Sequence, residues 1–281
     1  RTRRVARPVD LCPRTDRSVT VPVRRVLLTV SGSIPLDLDE AIAAGRRPRA
    51  DYRAIADACA GADMSADVVD VDTAAVSGRP ARLLRAVAGT GPVLAWYCLR
   101  NRRRYDVIIT AGEQVGIPYA LLCRVLGRGR AKHVMIVHIL SVQKKARLMR
   151  GTRIAGLVDR YVVYSSAQRE FIRDRLGVPA ERIELTPFMV DTQFFAPVPS
   201  PDRDRPLICT AGLERRDYAT LLRAVDGLDV DVVIAAASPW SKRSDTTQGE
   251  NIPANVSIRR LTLDELRDVY AASRLVVMPL D

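Results

Sequence analysis

Short apolar runs and stretches of helical period take turns along this chain. Val26 to Val30, Tyr105 to Thr110, His133 to Ile139, Leu157 to Tyr164, Leu207 to Ala211 and Val230 to Ala237 are too short for helices and rich in branched residues, which predicts buried strands. Val68 to Val71 and Asn255 to Arg260 read as shorter strands. The run from Arg274 to Met278, which Pro279 ends, reads as a further buried one. Helical period fills the gaps. Arg49 to Ala60 sets Ile55 and Cys59 one turn apart and stops at Gly61, while Val115 to Leu126 stops at Gly127. Pro80 to Arg100 is largely helical but is interrupted by Gly89-Thr90-Gly91-Pro92. Ser165 with Gln168, and Thr262 with Glu265, have the spacing of a capping box. Gly177 and Pro179 close the helix that the first opens, and Leu263, Leu266, Val269 and Tyr270 share one face of the second. Asp217 caps a helix carrying Leu221, Leu222 and Val225. Alternating strand and helix predicts an α/β protein with parallel sheets, whose ligands gather beyond the strands' carboxyl ends.

One stretch interrupts this rhythm. Ala196 to Pro206 (APVPSPDRDRP) has proline and charge but no apolar period, which marks an interdomain linker. It divides residues 25–195, read as an N-terminal acceptor-side Rossmann-like domain, from residues 207–281, read as part of a C-terminal donor-nucleotide domain. Residues 1–24 carry arginines and prolines without a hydrophobic period and read as a flexible basic arm, either solvated or docking on a membrane or partner.

Composition narrows the class. With 281 residues there is ample core for two domains. The net charge of +12 comes from 44 basic residues against 32 acidic ones, both spread along most of the chain, which argues for phosphates or an anionic surface as partners rather than nucleic acid. Only four of the basic residues are lysines, a bias expected of a high-GC bacterial genome. Five scattered cysteines without a C-x-x-C spacing fit reduced thiols in a cytoplasmic protein. No run approaches the ~20 apolar residues that span a bilayer. Trp96 and Tyr97 beside Arg100 and Arg102 to Arg104 have two readings, a peripheral membrane contact or a core helix with a solvated basic end.

Candidate chemistry sits where strands end. No G-x-G-x-x-G follows the first strand, which counts against a dinucleotide oxidoreductase. Gly32 after that strand lets backbone approach a phosphate, or simply ends the strand. Glu113 can accept from an acceptor hydroxyl or favour its own helix's start through the dipole. Lys144 and Lys145 suit an anionic acceptor or a solvated helix start, and His133 reads as structural. Gly212, Glu214, Arg215 and Arg216 precede a helix N-terminus and form a plausible diphosphate cradle. Ser238, Trp240 and Lys242 follow a buried strand and suit a nucleotide loop, with Trp240 either stacking on a base or packing on its neighbour. Asp70-Val71-Asp72 lies at a strand's edge and is treated as incidental, so no metal is expected.

Two blocks add a family resemblance. Residues 255–281, with NV, LxxxELRxxYAAS and VxxPL elements, and Asp159 to Phe195, with S-x-x, LGVP and VDxxxF elements, resemble the GT-B glycosyltransferases, in particular the retaining family four. The resemblance implies two Rossmann-like domains facing a cleft. It also implies transfer of a sugar from a nucleotide-diphosphate sugar to an acceptor hydroxyl, with retained configuration and with no cofactor or metal. His138 lies where relatives place a histidine facing the sugar, although a structural histidine bonded to backbone is the alternative reading. The family's E-x7-E motif does not occur before Asp281, so the chain is expected to be an incomplete copy, poorly active alone. Leu213 stands where relatives have an arginine, which leaves Arg215 and Arg216 as substitutes. A non-catalytic nucleotide- or partner-binding module on the same fold is the alternative reading.

Overall fold

A computed structural model describes residues 23–76, 78, 84, 86, 88–197, 204–213, 215–235 and 251–280. Two separate sheets organise them. The first contains β1 (Arg24–Thr29), β2 (Met64–Val69), β3 (Val107–Ala111), β4 (Lys132–Ile136), β5 (Arg160–Val163) and β6 (Ile183–Leu185), in the order β2-β1-β3-β4-β5-β6. The second contains β7 (Leu207–Ala211), β8 (Asp231–Ala235), β9 (Val256–Arg259) and β10 (Leu275–Val276), in the order β10-β7-β8-β9. Every pairing of these strands is parallel. Among the described residues no strand after Pro206 joins the first sheet.

Parallel strands need crossovers, and the described helices supply them. In chain order they are α1 (Leu38–Ala43), α2 (Asp51–Gly61), α3 (Val71–Ala75), α4 (Thr90–Asn101), α5 (Glu113–Leu126), α6 (Gln143–Gly151), α7 (Ser166–Leu176), α8 (Tyr218–Val225) and α9 (Leu263–Ala272). The core of the first sheet divides in two. Leu27 and Ile108 pack with Leu94 and Cys98 of α4 and with Val115 and Tyr119 of α5. Met135, Val137 and Tyr161 pack with Ile117 of α5, Met149 of α6 and Ile172 of α7. In the second sheet Val232 and Ile234 meet Tyr218, Leu221 and Leu222 of α8, while Val269 and Tyr270 of α9 pack on the other side, against Leu207, Cys209 and Val233.

Several expected boundaries shift for physical reasons. The second strand runs over Met64–Val69 rather than Val68 to Val71, because Asp70 stops it: its carboxylate accepts from the Thr73 amide at 2.8 Å and caps α3, which Val71 begins. Asp70 also accepts from the Ile34 amide at 3.0 Å, so it is a structural brace. Residues 84, 86 and 88 are helical and Gly89 leaves the helical region at φ 82°, so the helical run is interrupted there as expected, and Thr90-Gly91-Pro92 then opens α4. Pro92 falls in the first turn, where a missing N–H costs nothing. α4 is a core helix, with Val93, Leu94, Ala95 and Cys98 fully buried and Trp96 and Tyr97 packed against the same cluster.

The final strand corrects another expectation. Leu275 and Val276 are 58% and 54% exposed, not buried; among the described residues β10 is the edge strand and pairs with β7. The caps fall where the spacing predicts them. Thr262 and Glu265 form a reciprocal box, Ser165 accepts from the Gln168 amide, and Gly177 ends α7 in the left-handed region at φ 66°.

Contacts also join the elements flanking the two sheets. Arg267 of α9 donates from Nη1 to the Gly45 carbonyl at 3.0 Å and lies over the Phe194 ring, 5.0 Å from its centroid. Phe195 and Tyr270 meet with ring centroids 6.5 Å apart.

Candidate active site at the carboxyl edges of the sheets

In a parallel sheet whose strand order reverses, adjacent loops leave in opposite directions and open a crevice at the reversal. The first sheet reverses between β1 and β3, the second between β7 and β10. Both crevices are built alike. Thr110-Ala111-Gly112 ends β3 and Thr210-Ala211-Gly212 ends β7, and each glycine has φ 97°. The Gly112 amide donates to the Ile136 carbonyl at 3.0 Å, and the Gly212 amide to the Ala235 carbonyl at 3.3 Å. A left-handed glycine thus turns the chain sharply off each strand and into a helix. Gly212 was legible in the sequence. Gly112, in the equivalent place, was not singled out, and the repeated Thr-Ala-Gly was the signal that would have found it.

At the first crevice Gly32 lies in the bend after β1. Its neighbour Ser31 donates to the Ala111 carbonyl at 2.8 Å and accepts from Gln114 Nε2 at 3.0 Å, which ties the β1 and β3 loops together. Glu113 opens α5 but is 3% exposed, not presented at the rim. Its carboxylate accepts from the His138 and Ile139 amides at 3.1 Å each and from Lys145 Nζ at 2.6 Å. Burial alone would raise this carboxyl's pKa. The Lys145 bond and the backbone donors outweigh that and hold it below the usual 4.5. Lys145 also donates to the Ile139 carbonyl at 2.8 Å. The two residues expected to meet an acceptor separately are therefore paired with each other, as internal braces of the loop after β4. Lys144 is exposed on α6.

His138 lies beyond β4, which stops at Ile136, and is exposed in that braced loop. Glu113 holds its amide from one side. From the other, Gln168 Nε2 donates to its carbonyl at 2.8 Å while Gln168 Oε1 accepts from the Tyr164 amide at 2.8 Å. Gln168 was expected only as half of a capping box, and this second employment escaped the sequence. The His138 ring stacks on Tyr164 at 5.9 Å between centroids, and Tyr164 meets Phe188 edge-on at 5.0 Å. The backbone at His138 is fixed while its ring faces outward, as a group that orients a ligand requires.

His133 is buried, with Nε2 3.0 Å from Thr110 Oγ1 and its ring edge-on to Tyr119. Burial pushes its pKa down to about 3, against the pull of Asp159. It is the structural histidine that the sequence suggested.

At the second crevice Tyr218 donates its hydroxyl to the Gly212 carbonyl. Arg216 folds back over the glycine: its Nε donates to the Ala211 carbonyl at 3.3 Å, and its backbone bridges to Leu280. Arg215 is exposed and adopts φ 51°. Leu213 is buried, so the position where relatives carry an arginine serves here as an anchor. Asp217 caps α8 through the Thr220 amide at 3.0 Å, which already occupies part of that helix's N-terminus. Glu214, Ser238, Trp240 and Lys242 lie outside the described residues. Among the described residues no group of three or more His, Cys, Asp or Glu side chains could hold a metal, and no helix is long and apolar enough to cross a membrane.

Two parallel Rossmann-like sheets with glycine loops at both reversal points define a GT-B glycosyltransferase fold. The match is borne out by the family comparison: the model described as Glycosyltransferase Family 4 matches residues 41–194, and the chain belongs to that family. Solved structures share the fold at low identity. A glycosyltransferase from Rickettsia africae ESF-5 is 10% identical with a TM-score of 0.59, covering 92% of this chain and 73% of that one. The apo structure of OtsA is 12% identical with a TM-score of 0.55, covering 92% and 78%. A UDP-GlcNAc 2-epimerase from Methanocaldococcus jannaschii is 8% identical with a TM-score of 0.50, covering 90% and 78%. No curated protein sequence gives a significant match.

Proposed function

We propose that the chain takes part in moving a hexosyl group from a nucleotide-diphosphate sugar to an acceptor hydroxyl, with retention at the anomeric carbon. In that transfer the carbon–oxygen bond to the diphosphate breaks, the acceptor oxygen bonds the anomeric carbon, and the hydroxyl proton leaves with the diphosphate. His138 carries this reading: its ring is exposed at the carboxyl edge of the first sheet while its backbone is held by Glu113 and Gln168. It orients the transferring sugar by bonding a hydroxyl. Gly32 and Gly212 let backbone approach the ligand, and Arg215 with Arg216 balances the charge that collects on the leaving diphosphate. Glu214, Ser238, Trp240 and Lys242 complete the donor side in this proposal, and Lys144 the acceptor side. Because arginines supply the positive charge, the reaction needs no metal. The protein works in the cytoplasm, with its basic N-terminal arm available for an anionic membrane surface.

The test is turnover of a panel of nucleotide-diphosphate sugars by the full-length protein, with the product's anomeric configuration read by NMR. His138→Ala should lower kcat by about 100-fold while donor binding persists. Transfer that is unaffected by this substitution, or donor binding without any transfer, would overturn the proposal.

A further inference from the structure

A cavity of about 430 Å³ lies between α6 and α7, and no residue of either glycine loop lines it. Its geometry follows from helical spacing. Gln143, Ala146, Arg147 and Arg150 stand at i, i+3, i+4 and i+7, which is one face of α6, and that face looks across at Phe171 and Arg175, one turn apart on α7. The small Ala146 leaves the floor low, and Phe171 packs partly against the core beside it.

The charges in this groove are unbalanced. α6 carries no acidic residue, and the one carboxylate bonded to it, that of Glu113, is taken by Lys145. Across the groove Asp174 pairs with Arg173, not with Arg175. Among the described residues none of Arg147, Arg150 and Arg175 forms an ion pair. Among the described residues the one side-chain bond that any of them makes is from Arg147 to Gln143 Oε1 at 3.2 Å. The N-terminus of α6 adds to the field. Its cap residue Val142 offers no side-chain acceptor, so the first amides, beside Ser141 and Gln143 in the lining, remain as donors.

Arg147, Arg150 and Arg175 line one cavity and among the described residues none is in an ion pair, Asp174 beside Arg175 being bonded to Arg173, and a planar fork of donors matches phosphate oxygens. We infer that the groove between α6 and α7 is a binding site for a phosphate group, held by Arg147, Arg150 and Arg175. The ligand is a soluble phosphate ester or a phospholipid headgroup, two sources of the same chemistry.

Calorimetric titration of inorganic phosphate into the full chain, at fixed chloride, tests this. The wild type should bind, and the triple variant Arg147→Gln, Arg150→Gln, Arg175→Gln should bind at least about tenfold more weakly. Arg147→Glu, which sets a competing carboxylate at the groove's exposed wall, should weaken binding as strongly and checks against an unfolding artefact. Arg215→Gln weakens any phosphate held at the proposed donor cradle and should leave intact the binding component that the triple variant loses, so the two sites are told apart. Sedimentation with phosphatidylcholine vesicles, with and without phosphatidic acid, separates the sources. Lipid-dependent sedimentation lost in the triple variant assigns a headgroup, and phosphate binding without sedimentation assigns a soluble ester. Absence of phosphate binding in the wild type, or equal binding by the triple variant, would overturn the inference.

Discussion

Lys145 Nζ lies 2.6 Å from Glu113 Oε1, and the same carboxylate receives the amides of His138 and Ile139. One buried ion pair thus sets the path of the loop that presents His138. Lys145→Met would leave the carboxylate without its charged partner in the interior and should cost about 3 kcal/mol, read as a drop in the urea midpoint. The pair also sets an acid limit. A carboxyl whose folded pKa lies below its unfolded value binds fewer protons when folded, so its stabilising effect is complete above pH 4.5 and is lost as pH falls through the lowered pKa. Glu113→Gln should flatten that part of the stability profile.

His133, depressed to about 3, acts on the same side of neutrality. Its contribution is complete above its ordinary value near 6.5 and fades as pH falls towards the folded value. The His133 ring resonance should stay unshifted between about pH 8 and pH 5 in folded protein. A midpoint within that window would show the ring to be hydrated.

Gly91 has no room to grow. A β-carbon there would sit 2.1 Å from the Gln114 carbonyl oxygen, backbone that belongs to α5. Gly91→Ala should push α4 and α5 apart, cost about 3 kcal/mol and lower the melting temperature. Because Gln114 also ties down Ser31, turnover should fall along with stability.

The repeated Thr-Ala-Gly allows an internal comparison. Thr110 Oγ1 meets His133, whereas Thr210 Oγ1 is buried without a partner among the described residues. Thr210→Val should therefore be neutral or stabilising by up to about 1 kcal/mol, and Thr110→Val should destabilise, by chemical denaturation of each.

Sugar transfer should persist in excess chelator, since the proposed leaving-group charge balance comes from arginine. Loss of activity restored by a divalent ion would reject metal-independent transfer.

What the sequence revealed was local. Gly127 and Gly177, the Thr262–Glu265 box and the apolar runs of β1, β3, β4, β7 and β8 are written within a few residues of where they act. The edge strands were less legible. β2 reads Met-Ser-Ala-Asp-Val-Val with only Val69 buried, so its apolar signal collects at one end and drew the predicted strand too far along the chain. The employment of Glu113, Lys145 and Gln168 was hidden for another reason. Their partners lie 25 to 32 residues away, and no spacing rule along one element reports a contact between loops of adjacent strands.

Gln168 sits on α7, the helix whose next turns carry Phe171 and Arg175. Its 2.8 Å bond to the His138 carbonyl makes α7 common to the histidine's loop and the arginine-lined groove. A substitution on α7 is therefore to be read at both places, since one helix carries the anchor of the His138 carbonyl and the Arg175 of the groove.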